Sequence, residues 1–210
     1  MTNQTPEVHG VFPCPVSITK RDTNLSPEEE KEIEDIIEEG MHKNEGNSTS
    51  NNYFIFNTKL NFLKRFCEEQ LKIYVKTVIN PKEKLDFYIT QSWLNITKPG
   101  ESHHNHSHAN SIVSGVFYVS TEEDDNIKFT DPNNRAKGIL KFEPEEYNIW
   151  NSDTWFFPVN TNELLIFPSW LVHQVDPNEK ATTDRISLSF NTFAKGIFGD
   201  TKNLTELILR

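Results

Sequence analysis

His103, His104, His106 and His108 fall within six positions of the segment "ESHHNHSHANSIVSGVFYVS" (residues 101–120), directly ahead of an apolar run. Imidazole is the commonest metal ligand, because its neutral ring keeps a nitrogen lone pair at physiological pH. Side chains two apart share a face of an extended segment. The spacing therefore predicts His104, His106 and His108 on one side and His103 on the other, with two of the three in reach of one metal. A solvent-exposed polar loop is the plain alternative. A third donor from a distant strand would complete a facial triad with open coordination positions. His173, in "FPSWLVHQVDP" (residues 167–177), qualifies: it follows an apolar run and precedes a turn at Asp176-Pro177.

A second chemistry is written in "RISLSFN" (residues 185–191), which alternates Arg185, Ser187, Ser189 and Asn191 with Ile186, Leu188 and Phe190. The polar set faces either solvent or the inside of a barrel. Inside, a buried guanidinium needs an anion, and a hydroxyl two residues on completes a clamp for a carboxylate. The spacing of twelve residues from His173 to Arg185 allows a hairpin that puts both on neighbouring strands. Asp131, in "FTDP", is a carboxylate that could join the metal, although Asp-Pro after a strand reads more simply as a turn.

These residues need a scaffold, and the chain supplies two kinds of element. "FPCPVSIT" (residues 12–19) reads as a short edge strand. In "LSPEEEKEIEDIIEEGM" Ser26 is placed as N-cap, Pro27 as the first helical residue, and Gly40 closes the helix, whose acidic first turn is a solvated face. Residues 42–52 read as a loop, and residues 60–79 repeat apolar side chains at helical spacing. Beyond Pro81 come only β-type runs: "LDFYITQSWLNIT", "SIVSGVFYVS", "NIKFTD", "GILKFEP", "ELLIFPSWLVHQV" and "RISLSFNTF". Closely spaced strands without intervening helices point to a sandwich, jelly roll or small barrel with two N-terminal helices on one face. One domain over residues 1–210 is expected, with an N-terminal strand and supporting helices over 1–80 and the β core over 85–198.

The bulk numbers narrow the partners. A formal charge of −10 over 210 residues argues against a broad grip on nucleic acid. Cys14 and Cys67 are far apart without CxxC spacing, and "MTNQTPEVHG" carries no basic and apolar leader, so a cytoplasmic, disulfide-free protein outside the membrane is expected. In that compartment triplets such as Asn47-Ser48-Thr49 mean nothing for glycosylation.

In order, "FPCPV", "PGESHHNHSHANSIVSGVFYV", "FPSWLVHQVDP" and "RISLSFN" resemble the non-haem iron and 2-oxoglutarate-dependent dioxygenases. They are most similar to a bacterial and phage branch with His-x-His before Ser-Gly-Val-(Tyr/Phe)-Tyr. The resemblance implies a mainly β fold, a double-stranded β-helix (jelly roll, cupin-like) with two N-terminal helices packed outside. It implies Fe(II), 2-oxoglutarate and O2, with hydroxylation of a C–H bond and release of succinate and CO2. The second ligand of that branch stands six residues before the Ser, which selects His106 and His108, and His173 matches the distal ligand. Arg185 and Ser187 match the pair holding the far carboxylate of 2-oxoglutarate, while Asn95 and Tyr118 are implied as further contacts to it. Trp93, Phe117, Tyr118 and Trp170 would shield the centre, and His103 and His104 would sit at the pocket rim. Most of the superfamily has Asp or Glu where this chain has His108. Three neutral imidazoles leave Fe(II) its full double charge, which favours dianionic 2-oxoglutarate and weakens metal retention. Two rivals follow: a cupin-like three-histidine dioxygenase that does not use 2-oxoglutarate, and a non-catalytic metal-binding jelly roll. The substrate, a small molecule or a peptidyl residue, and the oligomeric state, with a homodimer among the options, stay open.

Overall fold

The computed structural model describes residues 6–132 and 143–210. In chain order the strands are β1 (Ser17–Lys20), β2 (Met41–Lys43), β3 (Ser48–Ser50), β4 (Asp86–Thr97), β5 (His103–His106), β6 (Val113–Ser120), β7 (Asn126–Thr130), β8 (Thr154–Pro158), β9 (Glu163–Pro168), β10 (His173–Val175), β11 (Arg185–Phe198) and β12 (Leu207–Leu209). The helices are α1 (Pro27–Glu38) and α2 (Asn61–Tyr74), and α2 runs on into a π-turn over Val75–Ile79.

The strands form two antiparallel sheets. The larger is ordered β1-β9-β6-β11-β4-β3-β2, with β12 paired to β11, and the smaller is β5-β10-β7-β8. Between β4 and β11 the chain crosses repeatedly from one sheet to the other, with β7 and β8 as a pair in the small one, the arrangement of a jelly roll. One side of the large sheet carries Leu94, Phe117, Leu188 and Phe190 into a core with Ile33 and Ile36 of α1 and Leu63, Cys67 and Leu71 of α2. A second cluster, including Tyr118, Phe129 and Phe167, fills part of the space between the sheets. The period-2 pattern of β11 thus separates a helix-facing apolar row from a polar row inside the sandwich.

The start of α1 follows from its capping chemistry, whereas α2 starts on a left-handed Leu60 without a side-chain cap. Ser26 caps α1 reciprocally with Glu29, Pro27 begins the helix, and the Glu29 carboxylate also binds Arg21. The backbone N–H of Leu60, just before α2, donates to Glu32 of α1 at 2.7 Å, which locks the helices together. Gly115 lies opposite Phe190 on the helix-facing side, and a Cβ there would sit 2.2 Å from the Phe190 ring. Gly115→Ala is accordingly expected to destabilise the fold by about 1–3 kcal/mol through overpacking, read as a lower urea midpoint at unchanged slope.

Several boundaries differ from the sequence expectation. The first strand shrinks from residues 12–19 to Ser17–Lys20, since Pro13 and Pro15 cannot donate to a ladder. The run "ELLIFPSWLVHQV" is two strands: β9 ends at Pro168, a turn closes with Leu171 N–H donating to the Pro168 carbonyl, and β10 belongs to the other sheet. His173 and Arg185 consequently face each other from opposite sheets and are not on neighbouring strands. The expected loop at 42–52 contains the β2–β3 hairpin, and β8 and β12 are additional strands. Most of "GILKFEP" (residues 138–144) lies outside the described residues.

Candidate active site

β10 sits between β5 and β7, and its first residue pairs with the last residue of β5: His173 opposite His106. The next printed pair is Val175 opposite His103, so two steps on β10 match three on β5. That bulge overrides simple alternation. His103, expected on the far side, instead stacks on His106 with ring centroids 4.6 Å apart. His108 follows β5 and is tied back by its backbone N–H to the Ser169 carbonyl at 2.9 Å.

The ring nitrogens of His106, His108 and His173 all lie within 4.8 Å of one another. Each ring is turned by an acceptor behind it. His106 Nδ1 contacts the His104 carbonyl at 2.8 Å, and His173 Nδ1 contacts the Leu171 carbonyl at 2.9 Å. A carbonyl only accepts, so both Nδ1 atoms carry the proton and both Nε2 atoms present a lone pair. His108 Nδ1 meets Asn191 Oδ1, which also accepts from Ser114 Oγ at 2.9 Å. Burial lowers the pKa of all three: His173 to about 3 and His106 to about 4, with His108 also moved down. Neutral imidazoles with convergent lone pairs and anchored second nitrogens are the donor set a divalent metal requires. Among the described residues no carboxylate joins this group. Asp131 instead lines a separate, largely apolar pocket with Cys14, Trp150 and Trp155.

A narrow cavity runs between the sheets from these three histidines to Arg185 and Ser187, with Asn95 along its wall. Arg185 is 6% exposed. It donates to the Asn126 carbonyl on the opposite sheet at 2.8 Å and lies over the Tyr118 ring at 5.0 Å. Ser187, Asn95 and Tyr118 are direct lateral neighbours on three adjacent strands. Tyr118 is fully buried, with its hydroxyl beside the Arg185 guanidinium and no other partner among the described residues. A buried guanidinium with no acidic partner among the described residues, beside a phenol, is a cradle for an anion. Asn95 is committed to the protein, accepting from Thr49 at 3.0 Å and donating to Ser189 at 3.1 Å, so it shapes the wall.

Above the imidazoles the cavity gives way to a wider mouth walled by Trp93, Gln91, Tyr53 and His42. Tyr53, His42 and Asn51 form a relay there, Asn51 Oδ1 on His42 Nδ1 at 3.0 Å and Tyr53 hydroxyl on His42 Nε2 at 2.9 Å. His103 and His104 line the same mouth, as a rim position requires. Of the four shielding aromatics expected from sequence, Trp93 and Tyr118 are at the site. Phe117 points to the helices, packing on Phe66, and Trp170 is 55% exposed.

Three supporting side chains escaped the sequence reading. Asn191 and Ser114 orient His108, and only the register of β6 and β11, which sets Asn191 opposite Ser114, brings them there. Asn191→Leu is expected to weaken metal binding roughly 10- to 100-fold while leaving the fold intact, measured by isothermal titration with Co(II). Glu122 accepts hydrogen bonds from the backbone N–H and hydroxyl of both Thr182 and Thr183, the loop that leads into Arg185. These bonds hold its carboxyl down at about 2. Their contribution is in place above the ordinary carboxylate pKa and is lost as the pH falls from there toward about 2.

The sequence model of the family described as "Putative 2OG-Fe(II) oxygenase" matches residues 91–191. No curated protein matches the sequence. Among solved structures, a prolyl hydroxylase from Trichoplax adhaerens in complex with a hypoxia inducible factor peptide fragment aligns with TM-score 0.58 at 11% identity, over 85% of this chain and 83% of that one. HygX from Streptomyces hygroscopicus, with nickel, 2-oxoglutarate and hygromycin B bound, aligns with TM-score 0.57 at 10% identity, over 85% and 82%. SnoK, a carbocyclase from nogalamycin biosynthesis, aligns with TM-score 0.59 at 10% identity, over 85% and 79%.

Proposed function

We propose, from the membership of residues 91–191 in the 2OG-Fe(II) oxygenase superfamily, that this chain couples oxidation of 2-oxoglutarate to hydroxylation of a C–H bond in a substrate admitted through the mouth above the histidines. The observation that carries the reading is the shared cavity: His106, His108 and His173 stand at one end and Arg185 and Ser187 at the other. A five-carbon dianion is the kind of molecule such a cavity takes, chelating at the imidazole end and clamped at the guanidinium end.

The superfamily uses Fe(II), 2-oxoglutarate and O2, which together supply the oxidising power. His106, His108 and His173 are the residues that would hold the metal, and the acceptors behind their Nδ1 atoms fix each ring before it binds. Arg185 supplies the charge for the far carboxylate, with the Ser187 and Tyr118 hydroxyls beside it. Val116 and Trp93 wall the channel and exclude water. Outside it, the mouth presents amide, imidazole and phenol groups and, among the described residues, no Lys, Arg, Asp or Glu. This lining suits an uncharged polar substrate, either a peptide segment or a small hydroxylated molecule.

Hydroxylation is the finer part of the reading, since the fold also serves the carbocyclase SnoK. The test is anaerobic addition of 2-oxoglutarate to the Fe(II) form. A visible metal-to-ligand charge-transfer band, followed by succinate release on admitting air, is the expected result. Metal binding with neither signal would favour a three-histidine dioxygenase that dispenses with 2-oxoglutarate, or a metal-binding jelly roll without catalysis.

A further inference from the structure

We propose that His103 and His104, sharing His106 with the inner triad, form an outer docking position through which divalent metal enters and leaves the centre. The inference rests on the assignment of His106, His108 and His173 as the inner ligands.

Three observations converge on it. First, the ring nitrogens of His103, His104 and His106 lie within 4.8 Å of one another, the same limit that encloses the inner three. Second, the outer group is nearer solvent. All three of its members are half-buried, whereas the inner group ends on His173, which is 5% exposed. The mouth is lined by His103, His104, His106 and His108; His103, His106 and His108 continue into the channel, where His173 lies, and His104 stays outside. Third, the bulge between β5 and β10 turns His103 onto His106, which a two-ligand strand motif does not need.

The donor chemistry fits. His104 Nδ1 approaches the Glu45 carbonyl at 3.4 Å, so its Nε2 keeps the lone pair. His103 Nε2 has only a weak 3.5 Å contact with the Asn44 amide, which a metal would displace. His106 Nδ1 is committed to the His104 carbonyl, leaving Nε2 as its one free donor. A single lone pair cannot serve two ions, so the outer and inner positions are alternatives and the site holds one metal at a time. A hydrated ion would exchange waters for His103, His104 and His106. It would then pivot on His106, trading the two outer rings for His108 and His173. No electron is transferred, and the displaced waters leave through the mouth.

A way station speeds entry and exit alike and does not change the end-point equilibrium. Co(II) binding to the full chain is therefore followed by stopped flow, release by a chelator chase, and affinity and stoichiometry by titration, in the wild type, His104→Ala and His103→Gln. The expected result is one Co(II) per chain throughout, with association and release slowed by the same factor, roughly tenfold or more from the lost local concentration of metal, at unchanged Kd. Unchanged rates would overturn the proposal. So would a weakened Kd with faster release, which would make the pair holding ligands, or two Co(II) per wild-type chain, which would make the outer group a separate site. His173→Ala separates this failure from failure of the inner assignment. It should lose the slowly released ion and retain weak, fast binding, whereas full tight binding in that variant would remove the inner centre itself.

Discussion

Arg185→Ala is expected to leave Co(II) or Fe(II) binding in place and to abolish useful binding of 2-oxoglutarate. Arg185 is the one buried cation at the cavity's far end, 6% exposed and held by a carbonyl and an aromatic face. None of these partners carries a negative charge, so the guanidinium waits for one. Removing one member of a buried, hydrogen-bonded charge pair typically costs about 2–5 kcal/mol, which is roughly 30- to several thousand-fold in affinity. Anaerobic titration of 2-oxoglutarate into the metal-loaded variant measures it. Arg185→Lys should recover only part of the loss, because an ammonium lacks the planar fork that matches a carboxylate. An Arg185→Ala protein that binds 2-oxoglutarate as tightly as wild type would end the clamp assignment.

The second large effect is expected at His173. It is the most buried of the three inner ligands and packs between Phe129 and Phe167. Its Nδ1 is spent on Leu171, so its only outward offer is Nε2. His173→Ala removes one donor of three in a set with no carboxylate to compensate. Tight metal binding should fall by more than the roughly 10- to 100-fold expected of a supporting residue. Equilibrium dialysis with Co(II) reads this directly, and circular dichroism checks that the variant is folded. Retention of wild-type affinity would move the centre elsewhere.

Position 108 invites a reading beyond the missing carboxylate. Asn191 presents its carbonyl oxygen to the residue there, and that oxygen is oriented by Ser114 from one side and by the Asn191 amide reaching Gln91 at 3.4 Å from the other. An acceptor so placed suits the N–H of an imidazole, whereas an Asp carboxylate would require the amide to turn its NH2 inward. The surroundings of His108 are thus built for histidine.

Much of this was legible in the chain. The polar row of "RISLSFN" and the clustering of histidines two apart were plain, because both depend on short-range periodicity; whether that row faced solvent or an interior was open, and the choice of His106, His108 and His173 came from the family resemblance. The capping of α1 by Ser26 was equally plain. What stayed hidden depends on pairing between distant segments. The bulge that turns His103 inward exists only because β10 is one residue short against β5. The departure of the chain from one sheet to the other at Pro168 could not be told from a single long strand. Asn191 and Tyr53 gained their roles from register and from a hairpin read as loop.

The two ends of the cavity belong to different sheets. His106 and His173 stand on the small one and Arg185 on the large one, already reaching across to Asn126. A molecule gripped at both ends is then a cross-brace, resisting the slight parting of two layers that otherwise meet through side chains alone. β5 and β10 are strands of four and three residues, and β5 is an edge, so they belong to the part of a sandwich that breathes most readily. Loading the cavity would quiet them, and the rhythm of turnover would be written in the amide exchange of the small sheet as much as at the metal.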